Sequence, residues 1–137
     1  MFSSLTGGYT YTGEFLNDKP HGKGTLVYKS GDVYTGDFAD GKKQGKGVYK
    51  YRGGNVYEGE LVDDKFHGHG VLTFSNGNVY TGAFENDKFE GKGTMVYNSG
   101  NVYEGEFREG DMCGHGELHF SSGTIQRGKF DKNTFIS

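Results

Sequence analysis

Residues 80–102 read YTGAFENDKFEGKGTMVYNSGNV, and near copies of this 23-residue unit run head to tail from residue 11 to residue 125 without insertion or deletion. Each unit opens on Tyr-x-Gly (Tyr11, Tyr34, Tyr57, Tyr80, Tyr103) and carries Gly-x-Gly nine residues after that first glycine (Gly22/Gly24, Gly45/Gly47, Gly68/Gly70, Gly91/Gly93, Gly114/Gly116). A fixed period of this length marks an array whose units bury surface only by stacking on their neighbours. Function is therefore expected on the surface of the array and not in one pocket.

With the tyrosine as position 1, positions 1, 3 and 5 are Tyr, Gly and Phe, with Leu61 replacing Phe in the third unit. Positions 2 and 4 are mostly Thr, Glu or Asp, so the segment alternates as a strand with one aromatic face. A second strand is expected over positions 12–18. Its even positions hold Gly, Gly, a large residue (Leu26, Tyr49, Leu72, Met95, Leu118) and an aromatic (Tyr28, Tyr51, Phe74, Tyr97, Phe120). Segments such as LNDKPH and VDDKFH supply the turn between these strands, and KSGD, RGGN, SNGN, NSGN and SSGT return the chain to the next unit. Each repeat thus reads as a hairpin, and the chain as an all-β, single-layer antiparallel meander. If position 5 pairs with 12, then 3 pairs with 14 and 1 with 16, which makes the glycine columns slots into which the rings of the Tyr and Phe columns lie.

The composition agrees with such a thin architecture. Only 32% of the 137 residues are hydrophobic, whereas 26 are glycine, 10 tyrosine and 11 phenylalanine, so aromatic rings supply most of the area available for burial. All but Gly7, Gly41, Gly53 and Gly110 fall in four columns of the repeat, which argues against low complexity. The net charge of −3 gives no basis for nucleic-acid binding. A single cysteine, Cys113, excludes an intramolecular disulfide framework and suits a reducing compartment. No segment is apolar enough to span a bilayer, and MFSSLTGGYT lacks the regions of a signal peptide, so a cytoplasmic protein is expected.

The pattern YxGxF, a short charged turn, GxG, an apolar-x-aromatic pair and a closing glycine resembles the MORN (membrane occupation and recognition nexus) repeat. Five full units over residues 11–125 carry the resemblance. Residues 1–10 form a partial unit before them, and residues 126–137 one after them in which Gln126 stands at the tyrosine position. The resemblance implies an elongated, twisted single-layer sheet and a non-catalytic role in scaffolding, protein binding, and cytoskeletal or membrane association. Some relatives carry an appended enzyme domain, for which no residues are left over here.

Departures from the repeat supply the candidate sites. Residues 41–52 read GKKQGKGVYKYR, in which Lys42, Lys43, Lys46, Lys50 and Arg52 meet no acid. Lys46 and Lys50 should project from the face opposite the aromatics, with Lys42 and Lys43 in the nearby turn. At roughly 1 kcal/mol per lysine near an anionic bilayer, this patch would give weak contact with acidic phospholipid. His67 and His69 share their columns with Cys113 and His115, and all four are metal-ligand types. Two repeats, or about 19 Å at ~4.8 Å per strand, separate the pairs, so one ion cannot bind both within a chain. No metal or other cofactor is expected.

Position 10 carries Phe66, Phe89 and Met112 in three successive turns, either as a satellite core or as a contact row. With the aromatic face, including Tyr34, Tyr57 and Tyr80, this region is the candidate protein-binding surface. Nothing resembles a P-loop or a dinucleotide fingerprint, and the titratable residues are spread at equal spacing and do not converge around a cleft, so catalysis is not expected. The expected function is a protein-interaction scaffold, with an acidic-phospholipid adaptor or a targeting module of a larger protein as the alternative. Open sheet edges favour a homodimer.

Overall fold

The computed structural model describes the backbone of residues 2–6 and all of residues 8–137; Met1 and Gly7 of the partial first unit lie outside the described residues. The strands are β1 (Phe2–Thr6), β2 (Tyr9–Leu16), β3 (Lys19–Tyr28), β4 (Val33–Ala39), β5 (Lys42–Lys50), β6 (Val56–Val62), β7 (Lys65–Thr73), β8 (Val79–Glu85), β9 (Lys88–Val96), β10 (Val102–Arg108), β11 (Asp111–His119), β12 (Ile125–Asp131) and β13 (Thr134–Phe135). They form one antiparallel sheet in sequence order, without crossovers and without closure. The described residues contain no helix.

Within each hairpin the register is the expected one at two of three points. Tyr11 pairs with Leu26 and Gly13 with Gly24, but Phe15 pairs with Pro20 and not with Gly22. The expected 5-to-12 pairing occurs instead with the next repeat, where Gly22 faces Phe38. A bulge of two extra residues separates the two registers inside every full hairpin, for example between Gly59 and Leu61 against Phe66 and Gly70. The bulge leaves the amide of position 13 turned toward position 4, whose carboxylate accepts it. Lys23 N–H donates to Glu14 at 2.6 Å, Lys46 to Asp37 at 3.1 Å, His69 to Glu60 at 3.1 Å and His115 to Glu106 at 2.7 Å. Ala83 breaks this column in the fourth repeat.

The hairpin turns are also tighter than the charged segments imply. Only two residues form each, both with positive φ, as at Asp63 (50°) and Asp64 (70°) or Asn86 (51°) and Asp87 (70°). Such two-residue turns match the right-handed twist of their flanking strands, and Asn, Asp and Gly tolerate the left-handed region they need. The second strand therefore begins three residues earlier than alternation indicates, at position 9. This shift brings position 10 onto the aromatic face.

Successive repeats are clamped at both rims. On the hairpin side, Asp64 N–H donates to Lys43 C=O at 3.0 Å while Asp64 Oδ1 accepts Lys43 N–H at 2.8 Å; Asp87 repeats this exchange with Phe66, and Asn133 with Met112. Where position 10 is Pro20, which has no N–H, the facing residue is Gly41, which has no side-chain acceptor. On the other rim, Asp32, Asn55, Asn78 and Asn101 each accept a backbone N–H from the next loop, at 2.8 to 2.9 Å.

The core is a single aromatic layer. Tyr11, Tyr34, Tyr57, Tyr80 and Tyr103 are fully buried. Each hydroxyl donates to the backbone carbonyl of position 4, at 2.7 Å to Glu14, 2.9 Å to Asp37, 2.6 Å to Glu60, 2.7 Å to Ala83 and 2.8 Å to Glu106. Rings of position 5 meet these tyrosines edge-on, as in Tyr80–Phe84 and Tyr80–Phe107, both at 5.1 Å. Each such pair contributes about 0.5–1.5 kcal/mol beyond area burial. The tyrosine ring lies on the facing glycines of positions 3 and 14, whose lack of Cβ permits the approach. A Cβ on Gly93 would stand 2.6 Å from Cζ of Tyr80, and one on Gly82 would stand 2.5 Å from the Cα of Gly93. Gly93→Ala is therefore expected to cost about 3 kcal/mol or more, through displacement of a fully buried ring. Gly53→Ala, where a Cβ meets nothing within 4 Å, should be neutral or stabilising by up to ~1 kcal/mol. Urea unfolding of the two variants beside the parent protein measures the difference.

Candidate functional site

The bulge and the early start of the second strand decide where position 10 points. Its side chain bridges the tyrosine of its own repeat and the position-18 aromatic of the repeat before. Phe66 stacks on Tyr57 at 3.7 Å and meets Tyr51 edge-on at 6.5 Å. Phe89 stacks on Tyr80 at 3.9 Å and meets Phe74 at 6.4 Å. Tyr97 Oη lies 3.9 Å from Sδ of Met112. Phe66 and Met112 are buried and Phe89 is half-buried. These residues are glue between repeats, as the satellite-core alternative has it. The burial of Tyr34, Tyr57 and Tyr80 likewise removes them from any surface open to a partner.

Lys43 takes the same position and is likewise buried, 8% exposed, and so does not stand in an open turn. Its Nζ donates to Tyr28 Oη at 2.7 Å and lies 5.4 Å from the centroid of that ring and 5.9 Å from that of Tyr34. Asp64 Oδ1 is 3.4 Å away. A cation here replaces the apolar bridge of the other repeats through cation–π and charge-assisted contacts. The proposed anionic-ligand patch therefore loses Lys43. Lys42 lies 4.0 Å from Asp63. Lys46 and Lys50 are exposed on the face opposite the aromatics, paired in register with Glu60 and with Val33 and Val56. Arg52 sits in the loop, its stem 3.0–3.3 Å from where a Cβ on Gly31 would be.

His67 and His69 are on β7, and Cys113 and His115 on β11, four strands along, so the structure does not bring the two pairs together. Among the described residues no three His, Cys, Asp or Glu side chains converge as a metal site. No helix among them is long and apolar enough to cross a membrane.

What the aromatic face does expose is the row at position 18 with part of position 16, where Leu26 and Met95 are buried. Tyr28, Tyr49, Leu72, Phe74, Tyr97, Leu118 and Phe120 are half-buried and Tyr51 is 37% exposed, alongside the fully buried tyrosine column. Position 18 recurs every second strand, about 10 Å apart at ~4.8 Å per strand. The sequence shows this row in its even-position pattern, but alternation alone does not separate a column that is covered by its neighbours from one that is not.

The MORN repeat profile matches residues 11–33, 34–56, 57–79, 80–102 and 103–125, and the chain belongs to the MORN repeat family. No curated protein sequence matches it. Among solved structures, a TCP domain of SAS-4 (dCPAP) from Drosophila melanogaster, in complex with a proline-rich motif of Ana2 (dSTIL), is 15% identical over 76% of this chain and 70% of that one. Its TM-score is 0.30, too low for a common fold.

Burial also sets the acid–base behaviour of the core. It raises the Tyr80 hydroxyl to about 12. Tyr103 is also pushed up to about 12, by burial and, less, by the charge of Glu106. Tyr34, Tyr49 and Tyr57 are raised by burial first and then by neighbouring carboxylates. The folded protein thus holds these protons more tightly than the unfolded chain, whose tyrosines ionise near 10. Their contribution to stability is fully present below pH 10 and is lost as pH rises through about 12. Urea midpoints should fall across that window together with a cooperative rise in tyrosinate absorbance, and Tyr80→Phe should make the fall shallower. For Lys43, replacing the buried cation by the apolar residue found in the fifth repeat, Lys43→Met, should leave stability within about 1 kcal/mol of the parent. Asp64→Ala, which strips both the charge partner and the acceptor of Lys43 N–H, should cost about 2 kcal/mol. Paired denaturation curves test both.

Proposed function

We propose that this chain is a non-catalytic protein-interaction scaffold whose binding face is the half-exposed aromatic row at position 18 with its neighbours Tyr49, Leu72 and Leu118 at position 16. The observation that carries this reading is the division of the aromatic face into two parts. The tyrosine column has every hydroxyl bonded and every ring covered. The adjacent row leaves ring and aliphatic surface in contact with water in every repeat at position 18, and at position 16 at Tyr49, Leu72 and Leu118, whereas Leu26 and Met95 are buried. Amphipathic rings standing on a rigid sheet are well suited to recognition, because they offer large contact area with little conformational freedom to lose.

The acidic-lipid alternative rests on Lys42, Lys46, Lys50 and Arg52, with Lys43 committed to internal contacts. These four cations are distributed over the opposite face and the rim, where Lys42 lies by Asp63 and Lys46 faces Glu60. The protein-binding reading is the better supported of the two.

The test is comparative capture from the source cell. Partners retained by the parent protein should be lost with Phe74→Ser and Tyr97→Ser on the aromatic row, and kept with Val27→Ser and Val96→Ser on the opposite face. Equal loss from both faces, or from neither, would refute the assignment.

A further inference from the structure

One part of the aromatic row differs in chemistry from the rest. Position 16 is Leu or Met in four repeats and Tyr49 in the second, so Tyr28, Tyr49 and Tyr51 form a contiguous cluster. The ring centroids of Tyr28 and Tyr49 are 5.8 Å apart and those of Tyr49 and Tyr51 are 4.6 Å apart. Carboxylates border this cluster. Asp32 accepts the Tyr49 hydroxyl at 2.9 Å through Oδ2 and Arg52 N–H at 2.8 Å through Oδ1. Asp87 accepts Phe66 N–H at 2.8 Å through Oδ1, and its Oδ2 has no hydrogen bond among the described residues. The hydroxyl of Tyr51 likewise has none. Burial, then the charges of Asp87 and Asp32, make that hydroxyl harder to ionise, so both carboxylates act on the space around it.

The protein already shows which ligand such a surface takes. One repeat earlier, the ammonium of Lys43 rests between the rings of Tyr28 and Tyr34 beside Asp64. The equivalent place after Tyr51 is filled by the neutral ring of Phe66, and the Asp87 carboxylate beside it is bonded only to the amide of Phe66 among the described residues. The remainder of the row, at Phe74, Tyr97 and Phe120, has Leu72, Met95 and Leu118 beside it and no second tyrosine.

Resting on the proposed binding face, we infer that the Tyr51 ring, bordered by Asp32 and Asp87, is the seat for an arginine side chain of a protein partner. Arginine fits better than lysine because its planar guanidinium stacks on a phenol ring while its edge donates to a carboxylate, and it sheds water more readily. The seat would fix the position of the partner's chain along an otherwise apolar row.

Titration of the isotopically labelled protein with the peptides acetyl-Gly-Arg-Gly-Arg-Gly-amide and acetyl-Gly-Glu-Gly-Glu-Gly-amide, followed by amide NMR, tests the inference. The arginine peptide should shift amides around Tyr51, Asp32 and Asp87, and the glutamate peptide should not. Tyr51→Leu keeps bulk but removes the ring quadrupole, and Asp87→Asn keeps the acceptor for Phe66 N–H but removes the charge. Each should weaken the arginine peptide about 5- to 10-fold, in line with a cation–π or charge-assisted contact, whereas Tyr97→Leu should leave it unchanged. Shifts centred elsewhere, or equal affinity in all variants, would overturn the seat. Capture of cellular partners that fails with Phe74→Ser but survives Asp87→Asn and Tyr51→Leu would overturn it as well, while leaving the aromatic row as the binding face.

Discussion

The fold depends on a tyrosine ring lying flat on two facing glycines, with its hydroxyl bonded to a backbone carbonyl three residues on. This one arrangement answers three requirements of a single-layer sheet. It brings a large apolar body to within contact of the backbone, so a thin structure still excludes water from its hydrogen bonds. The phenol oxygen is satisfied inside the same strand, so burial leaves no side-chain nitrogen or oxygen unpaired among the described residues. The tyrosine also presents its flanks to the Phe columns on both sides, which carries packing from one repeat to the next. Gly-x-Gly and Tyr-x-Gly are therefore one device, and neither half works without the other.

A second layer of order comes from polar groups at the rims and in the bulge. The carboxylates of position 4, Asp64 and Asp87 at position 8 and the Asp or Asn of position 22 all serve as acceptors for backbone amides. In the first two cases a bulge or a turn has left the amide without a ladder partner, and in the third the bond ties one loop to the next. Residues that read in the sequence as solvating charges or generic turn formers thus act as structural acceptors. This explains how a chain with 24% charged residues holds an ordered sheet with so little core, because many of these charges stabilise the backbone and are not spare surface.

The strand alternation, the glycine slots, the antiparallel meander and the family were all legible in the sequence, because each is a consequence of the 23-residue period and of side-chain parity. The candidate site was legible only in part. Parity placed Lys46 and Lys50 correctly on the far face, but Lys43, Phe66, Phe89 and Met112 were read as turn residues. A two-residue turn of paired positive-φ residues lengthens the strand and swings position 10 under the preceding repeat. Asn-Asp and Asp-Asp in the turn were the available signal for that geometry. What the pattern lacks is any measure of which aromatic column is covered by its neighbours, since burial of the tyrosines needs rings of the next repeat, such as Phe107 on Tyr80, as well as the Phe and glycines of their own.

By itself the sequence determined the repeat unit, the direction and order of its strands, and which residues share a face, because these follow from local periodicity and steric freedom at glycine. Only the tertiary structure decided which of those residues meet water. Stacking repeat on repeat sealed the Tyr column beneath the Phe and position-10 side chains and drew a lysine into an aromatic sandwich. It left the position-18 row, with the Tyr28, Tyr49 and Tyr51 cluster, partly open to water.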